Sequence, residues 1–158
     1  MTGERPFLPA GEHEGTGLDY LRRIVAGEIA SVPIGDTLGF RPVEVESGRI
    51  VFAGTPDRRS YNLIGTVHGG WAAAVLDSAM ALAALSSLDE HHLFTTLDLK
   101  INYVRALTAE TGEVVAEGRV LSAGRRVILT ESKLTDGAGK LLATGQSTCL
   151  VIPRAKRG

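Results

Sequence analysis

Between positions 69 and 85 the chain carries only two polar side chains, Asp77 and Ser78, within a run otherwise made of Gly, Trp, Ala, Val, Leu and Met. A helix of that composition is apolar around its whole circumference and needs cover on nearly every side. A bilayer is one source of cover. The run is short for a span, however, opens with two glycines and holds a carboxylate near its middle, where a charge in hydrocarbon costs about 3 kcal/mol or more. The other source is protein, which makes this a central helix wrapped by the rest of a globular domain. At 158 residues, 44% hydrophobic and 22% charged, the chain has apolar material for one such core and not for two.

The flanking sequence supplies the wrapping. Leu18, Leu21, Ile24, Val25 and Ile29 recur at helical spacing, so a short amphipathic helix is expected over 18–30, closed by Pro33 and Gly35. Residues 38–45 and 49–53 favour strand, with Glu46, Ser47 and Gly48 as the turn between them. After the apolar run, Leu97, Leu99, Ile101 and Tyr103 alternate with Asp98, Lys100 and Asn102, the clearest period-two signal in the chain. Residues 113–121, 125–134 and 140–152 read as further strands joined by short Gly-containing loops, hence as antiparallel hairpins. The class is α+β: an antiparallel β-sheet wrapped around a long central helix, with an extra short N-terminal helix. Residues 1–17, rich in Gly and Pro, are expected to form a flexible arm ahead of a single domain over 18–158.

Composition narrows the partners. A net charge of −1 offers no electrostatic footprint for nucleic acid. The one cysteine, Cys149, sits beside Leu150 and Val151 and reads as a small buried hydrophobe. Residues 1–17 lack the apolar core of a secretory signal, which sets the expectation of a cytoplasmic protein with no membrane contact. His91 and His92 lie in a polar stretch after the central helix and read as a solvated turn. No metal or cofactor is expected.

Chemistry concentrates on the central helix. A carboxylate among Ala, Leu, Val and Met is costly unless it is hydrogen-bonded, paired or neutral, so Asp77 is either a structural acceptor or a reactive group. At the start of the same helix, His68, Gly69 and Gly70 place two residues without side chains where backbone N–H groups are unpaired and the helix dipole is positive. Such a position can hold an oxyanion, and glycine lets a ligand approach the backbone. His68 and Asp77 are nine residues apart, roughly 13 Å along a helix. A site that uses both ends therefore combines elements of two subunits.

The segment Asn62-Leu63-Ile64-Gly65-Thr66-Val67-His68-Gly69-Gly70, followed by Leu76-Asp77-Ser78 and by the run from Thr95 and Thr96 through Tyr103 to Arg105, resembles the PaaI-type hotdog-fold acyl-CoA thioesterases. Gly124-Arg125-Arg126 and Asp136-Gly137 follow in the same order, so the likeness covers roughly residues 36–151. It implies a hotdog fold, homodimers assembling to homotetramers, and active sites at the dimer interface. It further implies an acyl-CoA substrate, with the Gly69 N–H polarising the thioester carbonyl, Asn62 shaping the site, and Asp77 activating water or attacking directly. Thr96 is implied to orient the water. Parity of the strand points instead to Thr95, which alternation places on the face of Leu97 and Leu99. His68 is either a participant or a support for the helix start. Gly70, Thr95, Arg125, Arg126 and Arg105 complete the expected substrate contacts, the arginines toward the CoA phosphates, with Arg58 and Arg59 behind them. Trp71, Met80, Leu63 and Phe94 are candidates for the acyl wall.

The implied chemistry is self-sufficient, because a thiol leaves with little general-acid help, unlike an alcohol or amine. The alternatives are a module of the same fold that binds an acyl-thioester without cleaving it, and a hydratase, for which the expected Asp and His pairing is missing from the sequence.

Overall fold

A computed structural model describes residues 8–154. The chain runs α1 (Gly17–Val25), α2 (Pro33–Leu38), β1 (Phe40–Glu46), β2 (Arg49–Gly54), α3 (Gly69–Ser86), β3 (His92–Tyr103), β4 (Val114–Ala123), β5 (Val127–Asp136) and β6 (Leu141–Pro153). All six strands form one antiparallel sheet in the order β1-β2-β4-β5-β6-β3. This is the hotdog arrangement: the sheet curls around α3, which touches β2, β4, β5, β6 and β3.

α3 has a mean hydropathy of 1.3, enough for a membrane span, yet Leu76, Ala79, Met80, Ala83 and Leu85 are sealed inside the sheet. The helix can lie this close because β4 carries Gly118, where a Cβ would come within 2.1 Å of the Ala79 carbonyl oxygen. A lone glycine in a strand often marks such an approach. At the other end, Ser86 accepts from the Gly48 N–H (2.8 Å) and so ties the β1–β2 turn to the helix C-terminus.

Three features depart from expectation. First, α1 ends at Val25 instead of continuing to 30. Gly27 adopts φ 73°, its N–H bonds the Ile24 carbonyl, and the Glu28 N–H bonds the Arg23 carbonyl, which closes the helix in a Schellman motif. Second, Pro33 opens a helix where only a stop was expected: with its fixed φ it starts α2, and Gly39 at φ 77° ends it, so β1 begins at Phe40 and not at Leu38. Third, β3 begins at His92, whose Nδ1 lies 2.8 Å from Asp89 Oδ1, so the expected polar turn is already strand at its second histidine.

Of the expected N-terminal arm, residues 1–7 lie outside the described residues. The remainder is held in place: Tyr20 Oη donates to the Leu8 carbonyl (2.7 Å), and Arg154 donates to the Ala10 and His13 carbonyls (2.6 and 2.8 Å).

Candidate active site

Most of the expected site residues fall into two separate concavities of one chain. The first surrounds Asp77, half-buried on α3 where the helix passes β3. Burial pushes its carboxyl above the ordinary carboxylate range, and a hydrogen bond donated by Thr96 Oγ1 to Asp77 Oδ1 (3.4 Å) opposes that shift. Thr96 reaches the helix because β3 bulges: Thr96 pairs with Cys149 and Asp98 with Thr148, leaving Leu97 as the extra residue. Asp98 pins the bulge, its side chain accepting from the Thr148 N–H (3.1 Å) and its carbonyl from Ser147 Oγ (2.9 Å). Simple alternation pointed to Thr95; the bulge resets the parity, and Thr95 lies exposed on the rim of the same cleft. That cleft has a volume of about 360 Å³, with Ser78 beside Asp77 and apolar walls of Val32, Ile34, Leu82 and Phe94.

The second concavity, about 320 Å³, lies at the N-terminus of α3 and is lined by Asn62, His68, Gly69, Tyr103 and Arg105 among others. His68 is the N-cap: its Nδ1 accepts from the Gly70 N–H (2.8 Å), which in a neutral ring leaves the proton on Nε2. A Cβ on Gly70 would sit 2.9 Å from that Nδ1, so the second glycine makes room for the cap. With Gly70 engaged, the Gly69 N–H is the one that faces no protein acceptor among the described residues. The Gly69 carbonyl in turn accepts from Tyr103 Oη (2.9 Å). Asn62 organises the approach loop, its Oδ1 accepting from the Ile64 and Thr66 N–H groups and its Nδ2 donating to Thr66 Oγ1 (2.9 Å).

Gly69 and Asp77 are eight residues apart on one helix, about 12 Å of rise, and lie in different concavities. Arg105 lies on the Gly69 cleft and donates to the Leu141 carbonyl (2.5 Å). Arg125 and Arg126 occupy the exposed β4–β5 turn and line neither cleft, while Arg58 and Arg59 pair with Glu110 and Asp57.

The acyl-wall candidates need correction. Phe94 lines the Asp77 cleft, but Trp71 and Met80 face the core, 3% and 0% exposed, and Trp71 Nε1 donates to the Leu38 carbonyl. The all-apolar helix gave no sign of which side faces the sheet. Leu63 stands fully exposed on the approach loop. Several lining residues were missed, Tyr103, Val32, Ile34 and Leu82 among them. Tyr103 registered only as a strand residue, and Val32 and Ile34 flank the proline that was read as a stop.

The Thioesterase superfamily profile matches residues 64–143, about half of the chain, and that stretch holds His68, Gly69, Asp77, Thr96, Tyr103 and Arg105. The chain belongs to this superfamily. Acyl-coenzyme A thioesterase 13 of Homo sapiens is 31% identical over 67% of this chain and 75% of its own length. The 1,4-dihydroxy-2-naphthoyl-CoA hydrolase of Listeria monocytogenes is 26% identical over 77% of this chain and 96% of that protein. Among solved structures, a phenylacetic acid degradation-related protein from Ralstonia eutropha JMP134 superposes with a TM-score of 0.74 at 30% identity, covering 83% of this chain and 98% of that one. The thioesterase is thus a thioester hydrolase of the hotdog class with PaaI-related neighbours.

Proposed function

We propose that this thioesterase hydrolyses acyl- or aryl-CoA to the free acid and CoA at a site shared by two subunits, with Asp77 from one and the Gly69 N–H from the other. The observation that carries the reading is the separation just described. One concavity holds a destabilised carboxylate away from the helix start, and the other holds an open N–H at that start with no carboxylate among its described lining residues. β3 supplies the means of joining them. It is an edge strand of 12 residues with Leu97, Leu99 and Tyr103 exposed at 56%, 40% and 55%, and a second copy pairing along it would cover both. Dimers of this kind then assemble to tetramers.

In the reaction, water held by Asp77 attacks the thioester carbonyl carbon while its proton passes to the carboxylate, and the carbonyl oxygen gathers negative charge against the Gly69 N–H. Collapse breaks the C–S bond, and the CoA thiolate takes up the proton. In the alternative, Asp77 itself attacks the carbonyl carbon, the C–S bond breaks to release the CoA thiolate, and water then hydrolyses the mixed anhydride to the free acid and the restored carboxylate. Thr96 fixes the carboxylate, and His68 and Asn62 hold the Gly69 N–H in place as positioning residues. Arg105 on the cleft rim and Arg125 and Arg126 on their exposed turn offer guanidinium groups for the CoA phosphates.

A panel of acyl-CoA substrates assayed for free-thiol release tests the activity. The shared site is tested by Gly69→Pro. The preceding His68, at φ −59° and ψ 135°, already has the backbone that a following proline requires, and the first helical position tolerates proline, so the change removes the N–H, while its Cβ meets the Tyr103 side chain. Gly69→Ala meets the same tyrosine but keeps the N–H. Gly69→Pro should lose about 10²-fold or more in turnover, and Gly69→Ala far less. Co-refolding Gly69→Pro with an Asp77→Asn chain places one intact site in each mixed dimer, and about a quarter of wild-type activity should return. Two inactive parents that stay inactive when mixed, with mixed dimers shown by mass spectrometry, overturn the shared site.

A further inference from the structure

We infer that the segment from Val32 to Leu38, which precedes the stretch matching the superfamily, sets the length and polarity of the acyl group this enzyme accepts, with Ile34 as the principal specificity-determining residue. The inference rests on the reading of Asp77 as the reacting group. From Asp77 and Thr96 the cleft runs between α3 and β3 against Val32, Ile34, Ala81, Leu82 and Phe94, and among the described residues Asp77 is its only charged lining residue. Ile34 is 51% exposed, an apolar side chain left bare at the wall of a cleft that already contains the reacting carboxylate. An alkyl or aryl chain leading away from the thioester carbonyl would cover it.

The wall is a fixed one. α2 lies hard against β1, because Gly35 is buried where a Cβ would stand 2.6 Å from the Phe40 carbonyl oxygen. Its C-terminus is fastened to the central helix by the Trp71 indole N–H on the Leu38 carbonyl (2.8 Å). Val32 and Ile34 bracket Pro33, whose ring fixes the local backbone, so their side chains are presented at a set distance from α3. A rigid apolar wall rewards each additional buried methylene by about fourfold until the cleft is full, and rewards nothing afterwards. The same wall rejects an acyl group with an ionised far end, since no cation among the described residues lines the cleft to pair with it.

The test is the profile of kcat/KM over straight-chain acyl-CoA substrates of increasing length, with succinyl-CoA as the charged member, for wild type, Ile34→Ala, Ile34→Trp and Asp77→Asn. The wild type should rise with length to a plateau and should turn over succinyl-CoA at least about tenfold more slowly than butyryl-CoA. Ile34→Ala should move the plateau to longer chains and Ile34→Trp to shorter ones, while Asp77→Asn should lower every substrate by the same factor. Sedimentation alongside shows whether assembly is kept. Profiles that keep the wild-type plateau in both Ile34 variants, or equal turnover of succinyl- and butyryl-CoA, overturn the inference. Wild-type turnover in Asp77→Asn overturns instead the reading on which it rests.

Discussion

Asp77→Asn should lower turnover on the best acyl-CoA by at least about a hundredfold while leaving the protein as stable as before or more so. The amide keeps the shape and an acceptor for Thr96 Oγ1, but it cannot take a proton from water, and a general base contributes on the order of 10² to 10⁴ in rate. The stability side follows from the direction of the carboxyl shift. Burial raises Asp77 above its ordinary range, so protonation favours the folded state. That benefit is complete below the unfolded carboxylate pKa and is lost as pH rises through the raised folded value, which makes the ionised side chain a cost at neutral pH. Asn removes the cost, so Tm should hold or rise near neutrality, and the difference from wild type should vanish in acid. The same shift gives kcat/KM an acid limb displaced above the usual carboxylate range, because the base works only when ionised. Kinetics and thermal unfolding on one preparation decide the matter. A marked loss of Tm with turnover per folded molecule unchanged would make Asp77 a structural acceptor and the protein a binder of acyl-thioesters.

Gly118→Val should be severely damaging to the fold. A Cβ at this position would meet the Ala79 carbonyl oxygen at 2.1 Å, the Ala79 carbonyl carbon at 2.4 Å and the Met80 nitrogen at 2.9 Å, all of them helix backbone that cannot rotate away. The helix must lift from β4, and the packing of Leu76, Met80 and Ala83 opens with it. Overpacking costs about 1–3 kcal/mol where side chains can adjust and more where backbone must move, so a drop in Tm of about 10 °C or outright insolubility is expected. Gly137→Ala is the comparison. It has no left-handed φ, its nearest neighbour would be the Glu113 carbonyl oxygen at 3.9 Å, and its Tm should match wild type. A Gly118→Val protein that melts like wild type would mean that α3 does not rest on this strand.

The architecture was largely legible because each signal behind it is local. An apolar run with no polar side, Gly48 at a hairpin turn and period-two alternation in β3 act within a few residues of themselves, and they place the helix and the strands without knowledge of neighbours. The distance along α3 is likewise a property of the helix, so the separation of Gly69 from Asp77 was readable before any coordinates. What needed the tertiary structure depends on partners distant in sequence. Thr96 and not Thr95 reaches Asp77 because β6 holds a bulge at Leu97, and nothing within β3 itself announces the extra residue. The Gly69 N–H is left open because the His68 ring turns onto Gly70, a rotamer choice that sequence does not display. Gly118 looked like any glycine in a strand until α3 was laid across it. Val32 and Ile34 line the Asp77 cleft only because α2 packs onto β1 and is held by Trp71, since local pattern reports which residues are apolar and only packing decides which surface they close.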